Sequence, residues 1–256
     1  MPRRPRKSSN IGMYHVMLRG INQQMIFEDD RDKQYMLDTI KRFQSVSNVA
    51  IHSYCLMDNH IHLLVKERDE SISRYIQRVS SSFVYWYNHK YERIGHLFQD
   101  RFRSESIETM SSFLRVLRYI HQNPVKAGIA TNVLAYKWSS IHAYVDASRS
   151  SSFIDYEPGL QLFSPDRSKA CQAFSDYMQL ENDDVFLDDT ITASKSDLEI
   201  RDHLSRLGIA EDGVLQQMNK EHRNAILLDL KEQKGISIRQ LARITGISKS
   251  VIDRVI

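Results

Sequence analysis

Two imidazoles stand two residues apart in His60-Ile61-His62, inside an apolar stretch that includes Leu56, Met57, Leu63, Leu64 and Val65. On a strand, side chains at i and i+2 share a face, so both rings converge on one point while Ile61 turns to the opposite, apolar side. Two nitrogen ligands for a metal ion are thus available. Two hydrogen-bonded surface histidines fit the same motif, and spacing alone does not separate the readings. A second pair is Tyr119 and Asn123, four residues apart in a helical pattern and so on one face, beside Arg115 and Val116. A phenol and an amide oxygen presented together offer a nucleophile and a further ligand. A tyrosine packed at the edge of a core gives the same pattern, in a chain with 12 tyrosines. An ordinary tyrosine hydroxyl has a pKa of about 10 and needs help from its surroundings to act as a nucleophile near neutrality.

The elements that must position these groups follow from periodicity. Residues 11–19 alternate as a strand with Tyr14, Val16 and Leu18 on one face, and Gly20-Ile21-Asn22 reads as the turn after it. A helix is predicted from about Asp30, on Tyr35, Met36, Ile40 and Phe43, with Ser47-Asn48 as its stop. Strands over 49–56 and 61–65 form a hairpin through Met57-Asp58-Asn59. A long helix from Ser71 to about Glu92 buries Ile76, Val79, Phe83, Trp86 and Tyr87, and a strand covers 97–107. A further helix, capped by Ser111, buries Phe113, Leu114, Leu117 and Ile120 and ends at Asn123-Pro124, because the residue before proline resists the α region. The order βαββαβα predicts an α+β fold, a ferredoxin-like or split-βαβ sandwich whose antiparallel sheet carries its helices on one face.

Past Tyr144 the texture changes. Asp146 to Ser152 is rich in serine, and residues 181–196 carry five acidic side chains among their first nine. This divides the chain into a basic N-terminal arm over 1–10, a catalytic domain over 11–145, a linker over 146–196 with one helix near 165–180, and an all-α domain over 197–256. Residues 235–256 read as a helix-turn-helix: Ala242 is small where two helices cross, Gly246 sits in the turn, and Leu241, Ile247, Ile252 and Val255 supply a small core. Ser248 would then cap a recognition helix that presents Lys249, Ser250 and Arg254 to duplex DNA. A helical pair docking on the catalytic domain or on a partner fits the same pattern.

With 256 residues, 41% of them hydrophobic and 26% charged, the chain can bury one core or two, which excludes disorder throughout. No apolar run approaches the roughly 20 residues that span a bilayer, and Met1 to Lys7 leads into no signal-peptide stretch, so the expected location is the cytoplasm with no membrane partner. Cys55 and Cys171 form no CxxC pair and suggest neither a disulfide framework nor a cysteine zinc site. The net charge of +3 conceals a split: residues 1–150 hold 22 basic and 14 acidic side chains, residues 151–256 hold 13 and 18. A basic front half fits a polyanion such as nucleic acid. Arg3, Arg4, Arg6 and Lys7 form an arm able to follow a backbone, and Arg101 and Arg103 flank Phe102 on a predicted strand and so share a face. Arg19 and Arg115 join them as candidate DNA contacts. Tyr85, Trp86 and Tyr87 offer rings for unpaired bases, although Trp86 at helical spacing also fits the core.

Several stretches taken in order give the strongest signal. Met57-Asp58-Asn59-His60-Ile61-His62-Leu63-Leu64-Val65 is followed by Gly95-His96-Leu97-Phe98-Gln99-Asp100-Arg101-Phe102-Arg103-Ser104, then by Arg118-Tyr119-Ile120-His121-Gln122-Asn123-Pro124-Val125-Lys126-Ala127-Gly128. Together with the opening His15-Val16-Met17-Leu18-Arg19-Gly20-Ile21-Asn22, Ile26-Phe27 and the later Trp138-Ser139-Ser140, these closely resemble the single-tyrosine HUH transposases, most of all their REP-associated branch. The resemblance covers roughly residues 11–145. It implies that His60 and His62 are metal ligands with Asn123, that Tyr119 is the nucleophile, and that the ion is magnesium or manganese. It further implies cleavage and rejoining of single-stranded DNA beside a hairpin, through a 5′-phosphotyrosine link, by a monomer or a homodimer. Gln122 departs from the pattern, since relatives commonly carry an apolar residue there. Two alternatives stand beside this reading: a DNA-binding regulator without transposition activity, and a zinc hydrolase built on His60 and His62.

Overall fold

A computed structural model of the chain describes residues 7–146, 153–182, 184, 186–187, 197–209, 214–232, 236 and 238–255. Arg3, Arg4 and Arg6 of the basic arm lie outside the described residues. The chain divides into two compact units, residues 1–187 and 188–256.

In the first unit, four strands, β1 (Met13–Arg19), β2 (Ala50–Leu56), β3 (His60–Lys66) and β4 (Arg103–Ile107), form an antiparallel sheet in the order β2-β3-β1-β4. The crossovers run through α1 (Asp30–Ser47) and α2 (Ile72–Lys90). Each crossover joins strands that have a third strand between them, and two right-handed crossovers put both helices on the same face. There α1 and α2 pack on each other, with Tyr75 Oη donating to the Ile40 carbonyl at 3.1 Å. Tyr14, Val16, Leu18, Ile61, Leu63 and Val65, the alternate positions of β1 and β3, are buried beneath them. Asp29 caps α1, accepting from the Arg31 and Asp32 backbone N–H groups, and Ser71 caps α2.

The expectation that helices cover one face is corrected by α3 (Met110–Lys126), which packs against β2 and β3 from the other side. The reason is legible in the strands: His15, Met17, His62 and Leu64, pointing away from α1 and α2, are also buried and require a second layer. That layer is completed by α4 (Ile141–Val145), α5 (Glu157–Gln161) and α6 (Arg167–Gln179), so residues 153–187 are not a linker. Ile154, Leu160, Ala170, Phe174 and Met178 are buried in the same core as the sheet. Ile154 bridges to Ile51, Ser139 bridges to Cys55, and together these segments cover the outer edge of β2.

Two further differences have local causes. The strand expected over 97–107 is broken: Leu97 and Gln99 hydrogen-bond to Ile21 and Arg19, and regular pairing with β1 starts again only at Arg103. The helix expected to stop at Asn123-Pro124 continues to Lys126. Pro124 falls in its last turn, where the Ala127 N–H still reaches the Asn123 carbonyl at 2.9 Å and the Asn123 side chain donates to the Tyr119 carbonyl at 3.0 Å.

In the second unit, α7 (Asp197–Arg206), α8 (Val214–Gln217), α9 (Lys220–Glu232), α10 (Ile238–Thr245) and α11 (Lys249–Asp253) surround a core that includes Ile200, Leu204, Leu227, Leu241 and Ile252. Gly246, with φ of 66°, turns the chain between α10 and α11. Arg254 lies just past α11, which has only five residues, and does not stand on the helix expected to present it. No helix among the described residues is long and apolar enough to cross a membrane.

His121 lies within the α3 layer, its Nε2 3.0 Å from both Ser53 Oγ and Ser140 Oγ. Burial, with a smaller push from His142, lowers its pKa from 6.5 to about 3. The unfolded chain therefore takes up a proton near pH 6.5 that the folded chain refuses until about pH 3. Stability is full above that window and falls as pH drops through it, by about 1.4 kcal/mol per pH unit. Both tryptophans, Trp86 and Trp138, belong to the first unit, so their fluorescence in urea reports its unfolding. We expect the midpoint to fall on acidification below about pH 6.5, and the His121→Gln variant to lose that share of the pH dependence.

Candidate active site

The hairpin between β2 and β3 is held from several sides just before its two histidines. The Asp58 carbonyl accepts from the Ile26 and Phe27 N–H groups at 2.8 and 3.2 Å, and the Asn59 carbonyl accepts from Gly20 at 2.9 Å. Lys33 Nζ donates to Asp58 Oδ1 at 2.7 Å, and Tyr136 Oη donates to the Leu56 carbonyl at 2.6 Å. A Cβ on Gly20 would collide with the Gln24 carbonyl oxygen, so this close approach requires glycine. Asn22 and Gln23 adopt left-handed φ values of 51° and 60°, and in that turn the Gln23 carbonyl accepts from Asn59 Nδ2 at 3.2 Å. Two non-glycine residues in this region carry a conformational cost that the contacts to the hairpin offset.

From this anchored turn β3 carries His60 and His62 on the face toward α3, their ring centroids 4.9 Å apart and nearly perpendicular. His60 Nδ1 lies 2.6 Å from Asn59 Oδ1. Met17 pairs with His62 across β1 and β3, which makes His15 the diagonal neighbour, and His15 Nε2 is 2.9 Å from His62 Nδ1. On the far side of β1, Glu105 pairs with His15 and brings Oε2 to 4.0 Å from His15 Nδ1. Burial raises the Glu105 carboxyl above its ordinary pKa, with Arg115 opposing.

Tyr119 comes down on these rings from α3. Its ring centroid is 5.7 Å from those of His15 and His62, and the side chain is only 2% exposed. Lys126, two helical turns further on, places Nζ 5.4 Å from the centre of the same ring. Phe186 packs on Tyr119 at 4.9 Å and on His15 at 6.0 Å. The segment bearing Phe186 is fastened to α3 by Gln122, whose Nε2 donates to the Met178 and Leu180 carbonyls at 2.8 Å each and whose Oε1 accepts from Asn182 at 2.6 Å. Asp184 follows, 2.7 Å from Arg118 and 3.9 Å from Arg115.

A family model for IS200-like transposases matches residues 8–123, the span from β1 through the hairpin to Asn123. Over this span the chain is similar to the IS200-like transposases. A Haemophilus influenzae protein bearing the name REP-associated tyrosine transposase is 29% identical over a 136-residue alignment that covers 46% of this chain and 77% of that protein. Among solved structures, a REP-associated tyrosine transposase bound to a REP hairpin shares the fold with a TM-score of 0.50 and 18% identity, over 58% of this chain and 87% of that one.

Within this domain, the residues expected from sequence are distributed unevenly. His60, His62 and Tyr119 come together. Asn123 lies one turn beyond Tyr119, buried, with its amide nitrogen on the Tyr119 carbonyl. Arg19, cross-strand from His60, and Arg103, cross-strand from Met17, stand on the same sheet face, and Arg103 Nη1 donates to the Leu187 carbonyl at 3.2 Å. Arg101 does not share their face: it precedes β4 and lines a groove of about 610 Å³ with Ser80, Val84, Tyr85, His96 and Phe98. Of the three aromatic residues on α2 expected to meet unpaired bases, Tyr85 is 78% exposed, Trp86 stacks on Tyr35 at 4.1 Å and Tyr87 is buried with its hydroxyl on Glu28. Lys7 is exposed, and Lys249 and Arg254 are exposed in the second unit.

Sequence reasoning missed His15, Lys126 and the role of Gln122. Alternation along β1 places His15 opposite Tyr14 and Val16, and the seven-residue spacing of Tyr119 and Lys126 marks a shared helix face. Gln122 is buried; an apolar residue there would remove the side-chain donor from the Met178 carbonyl and leave the Leu180 carbonyl and Asn182 Nδ2 only their own 3.4 Å contact. The Gln122→Leu variant is expected to lower the stability of the first unit by about 1–3 kcal/mol, read from tryptophan fluorescence in urea, and to speed hydrogen exchange over residues 178–187. An unchanged midpoint with unchanged exchange would show that the segment is held by other contacts.

Proposed function

We propose that this chain is a REP-associated tyrosine transposase that cleaves and rejoins single-stranded DNA beside a hairpin, using Tyr119 as its nucleophile. The observation that carries the reading is the convergence of Tyr119 on His62, at 5.7 Å between ring centres, with His60 beside it. That all three side chains belong to one chain supports a site completed in a monomer.

His60, His62 and the amide oxygen of Asn123 would hold a divalent ion only loosely, leaving it free to bind phosphate. Among the described residues no group of three His, Cys, Asp or Glu side chains is arranged to hold a metal, whereas a zinc hydrolase needs a third strong ligand. Magnesium or manganese bound by His60, His62 and Asn123 would neutralise charge on a non-bridging oxygen of the scissile phosphate. Tyr119 Oη attacks phosphorus in line, the bond to the 3′ oxygen breaks, and the proton lost from the phenol is balanced by one taken up at the 3′ hydroxyl. The resulting 5′-phosphotyrosine conserves the phosphodiester bond energy for rejoining to a second DNA end. Lys126 holds its ammonium over the Tyr119 ring, a cation–π contact that helps to fix the ring in place. Arg19 and Arg103 line the same face and are proposed to orient the DNA backbone, while Tyr85 and Arg101 offer a ring and a cation to bases or phosphates further along the strand. In the second unit, α10 and α11 across Gly246 are proposed as a helix-turn-helix, with Lys249 and Arg254 toward duplex DNA.

The test is incubation of the protein with labelled single-stranded hairpin DNA carrying flanks, with magnesium or manganese, followed by a denaturing gel and peptide mapping. A metal-dependent covalent adduct on Tyr119 is expected. Tyr119→Phe should abolish the adduct while leaving DNA affinity nearly unchanged, because only the nucleophilic oxygen is lost. Tight binding without any adduct would instead favour a DNA-binding regulator. The salt dependence of binding supplies a separate check: Arg103→Ala removes one phosphate partner, and the slope of log K against log salt should become shallower by about 0.7, the share of one contact to a single strand.

A further inference from the structure

We propose that the groove between α2 and residues 96–101, with Ile94 at its rim, receives the junction between the hairpin stem and the single strand. Ile94 packs against the last base pair of the stem, the Tyr85 ring stacks on the first unpaired base, and Arg101 takes a phosphate of that strand. This assignment rests on the DNA-cleavage reading above and gives the chain a place where stem and strand are told apart.

The groove exists because the sheet edge is irregular. Met17 pairs with Arg103 and Gly20 bridges to Phe98, so two residues of β1, Leu18 and Arg19, lie opposite four, Gln99 to Phe102. The extra residues bulge out of the ladder, and a bulge re-aims the side chains it carries. Arg101 is thereby turned into the groove, away from the face shared by Arg19 and Arg103. Phe98 forms the floor, its ring centroid 6.4 Å from that of Phe83 on α2. On the opposite wall Ser81, Val84 and Tyr85 stand at i, i+3 and i+4 on one helix face, and the small serine leaves space beside the exposed Tyr85 ring. The volume of about 610 Å³ is that of a site for a small ligand. A ring and a guanidinium facing one groove are what a single-strand surface uses for a base and its phosphate.

At the rim, the turn after α2 holds Ile94 outward. Glu92 and Gly95 take left-handed φ values of 49° and 101°. The Arg93 N–H donates to the Asn88 carbonyl at 2.9 Å, and its guanidinium lies 5.6 Å from the centre of the Tyr87 ring. Asn88 Nδ2 donates to the Gly95 carbonyl at 3.0 Å. Both neighbours of Ile94 are thus tied to α2, while Ile94 itself is 99% exposed. An apolar side chain held outward on a fixed turn has the form of a wedge against a base step. His96, two residues on, lines the groove, so wedge and platform adjoin. The groove also borders the candidate active site. Gln99 donates to the Arg19 carbonyl and Ile21 to the Leu97 carbonyl, each at 2.9 Å, and Gly20 between them donates to Asn59, next to His60. Glu92 and Asp100 balance the charge of Arg93 and Arg101, so stacking and apolar contact, rather than a general field, hold the junction.

Three DNAs separate these contacts: the hairpin with a single-stranded flank, the same hairpin cut blunt, and the flank alone. Binding is followed by fluorescence anisotropy without metal, with 2-aminopurine as the first unpaired base. Tyr85→Ala should weaken the flanked hairpin and the flank by about 5- to 150-fold, the range of one base stacked on an aromatic ring, and leave the blunt hairpin unchanged. It should also abolish the change in 2-aminopurine fluorescence seen on binding to the wild type. Ile94→Ser, which removes an exposed side chain and should leave urea unfolding unaltered, is expected to weaken the flanked hairpin alone. Wild-type affinities for all three DNAs in both variants, or an equal loss on blunt and flanked hairpins in Ile94→Ser, overturns the inference; the adduct on Tyr119 then still tests the cleavage reading separately. Absence of any wild-type binding to the flanked hairpin overturns the cleavage reading, and this inference with it.

Discussion

The register between β1 and β3 is the constraint on which the site depends. With Met17 opposite His62, the diagonal neighbour on the shared face is His15, and the ring nitrogens meet at 2.9 Å. Side chains alternate with a period of two, so a slip by one residue would turn His60 and His62 into the apolar layer under α1 and α2 and bring Ile61 and Leu63 toward α3. Two imidazoles would then lose every polar partner they have. The contacts that resist the slip lie outside the strands: the Asp58 and Asn59 carbonyls receive N–H groups from Gly20, Ile26 and Phe27, and Lys33 clamps Asp58 from α1. The crossover helix that leads from β1 to β2 thus also stabilises the register of β1 against β3.

The second layer answers a different demand. A sheet buried on both faces needs cover on both, and α3 alone is too narrow to cover His15, His62, Leu64 and Cys55 together with its own flanks. The chain after Tyr144 supplies the rest. Phe174 stacks on Tyr144 at 4.4 Å, and Tyr144 donates to the His52 carbonyl at 2.7 Å, in the part of β2 where its register against β3 shifts by one residue. Gln122 then ties the end of α6 across α3, which carries Phe186 onto Tyr119. Gln122 therefore attaches a segment beyond the matched span of residues 8–123 to the helix bearing the tyrosine.

Much of the first unit was legible because its elements are amphipathic with clear periods. The β1 alternation, the α1 and α2 stripes and the hairpin at Met57-Asp58-Asn59 all appear within a few residues of their expected bounds. The break before Arg103 was not, since Leu97 to Arg103 alternates well enough to pass as a strand and only long-range bonds to Arg19 and Ile21 show where the pairing lies. For the same reason Arg101 and Arg103 fall on different sides. His60, His62 and Tyr119 could be picked out by type and spacing, whereas His15 is a single histidine in an apolar strand and gains meaning only from the diagonal pairing. Residues 153–187 were misjudged because the serine-rich run before them and the acidic run from Glu181 frame them as a linker, while the apolar side chains that decide their placement, Ile154, Leu160, Phe174 and Met178, are widely spaced.

The distribution of charge changes its meaning once the unit boundary is known. Split at residue 150, the chain looks like a basic half followed by an acidic one; split at residue 187, the first unit carries a net +3 and the second is neutral, with 11 basic and 11 acidic side chains. The acidic excess therefore belongs to residues 151–187, inside the first unit, where Asp184 sits against Arg115 and Arg118. A carboxylate in that position competes with a phosphate for the same guanidinium groups, on the helix that presents Tyr119. Positive charge beside Tyr119 is thus partly neutralised by the chain's own segment. The neutral second unit brings no surplus of positive charge, and any duplex it binds must be held by local contacts at Lys249 and Arg254 rather than by a general electrostatic field.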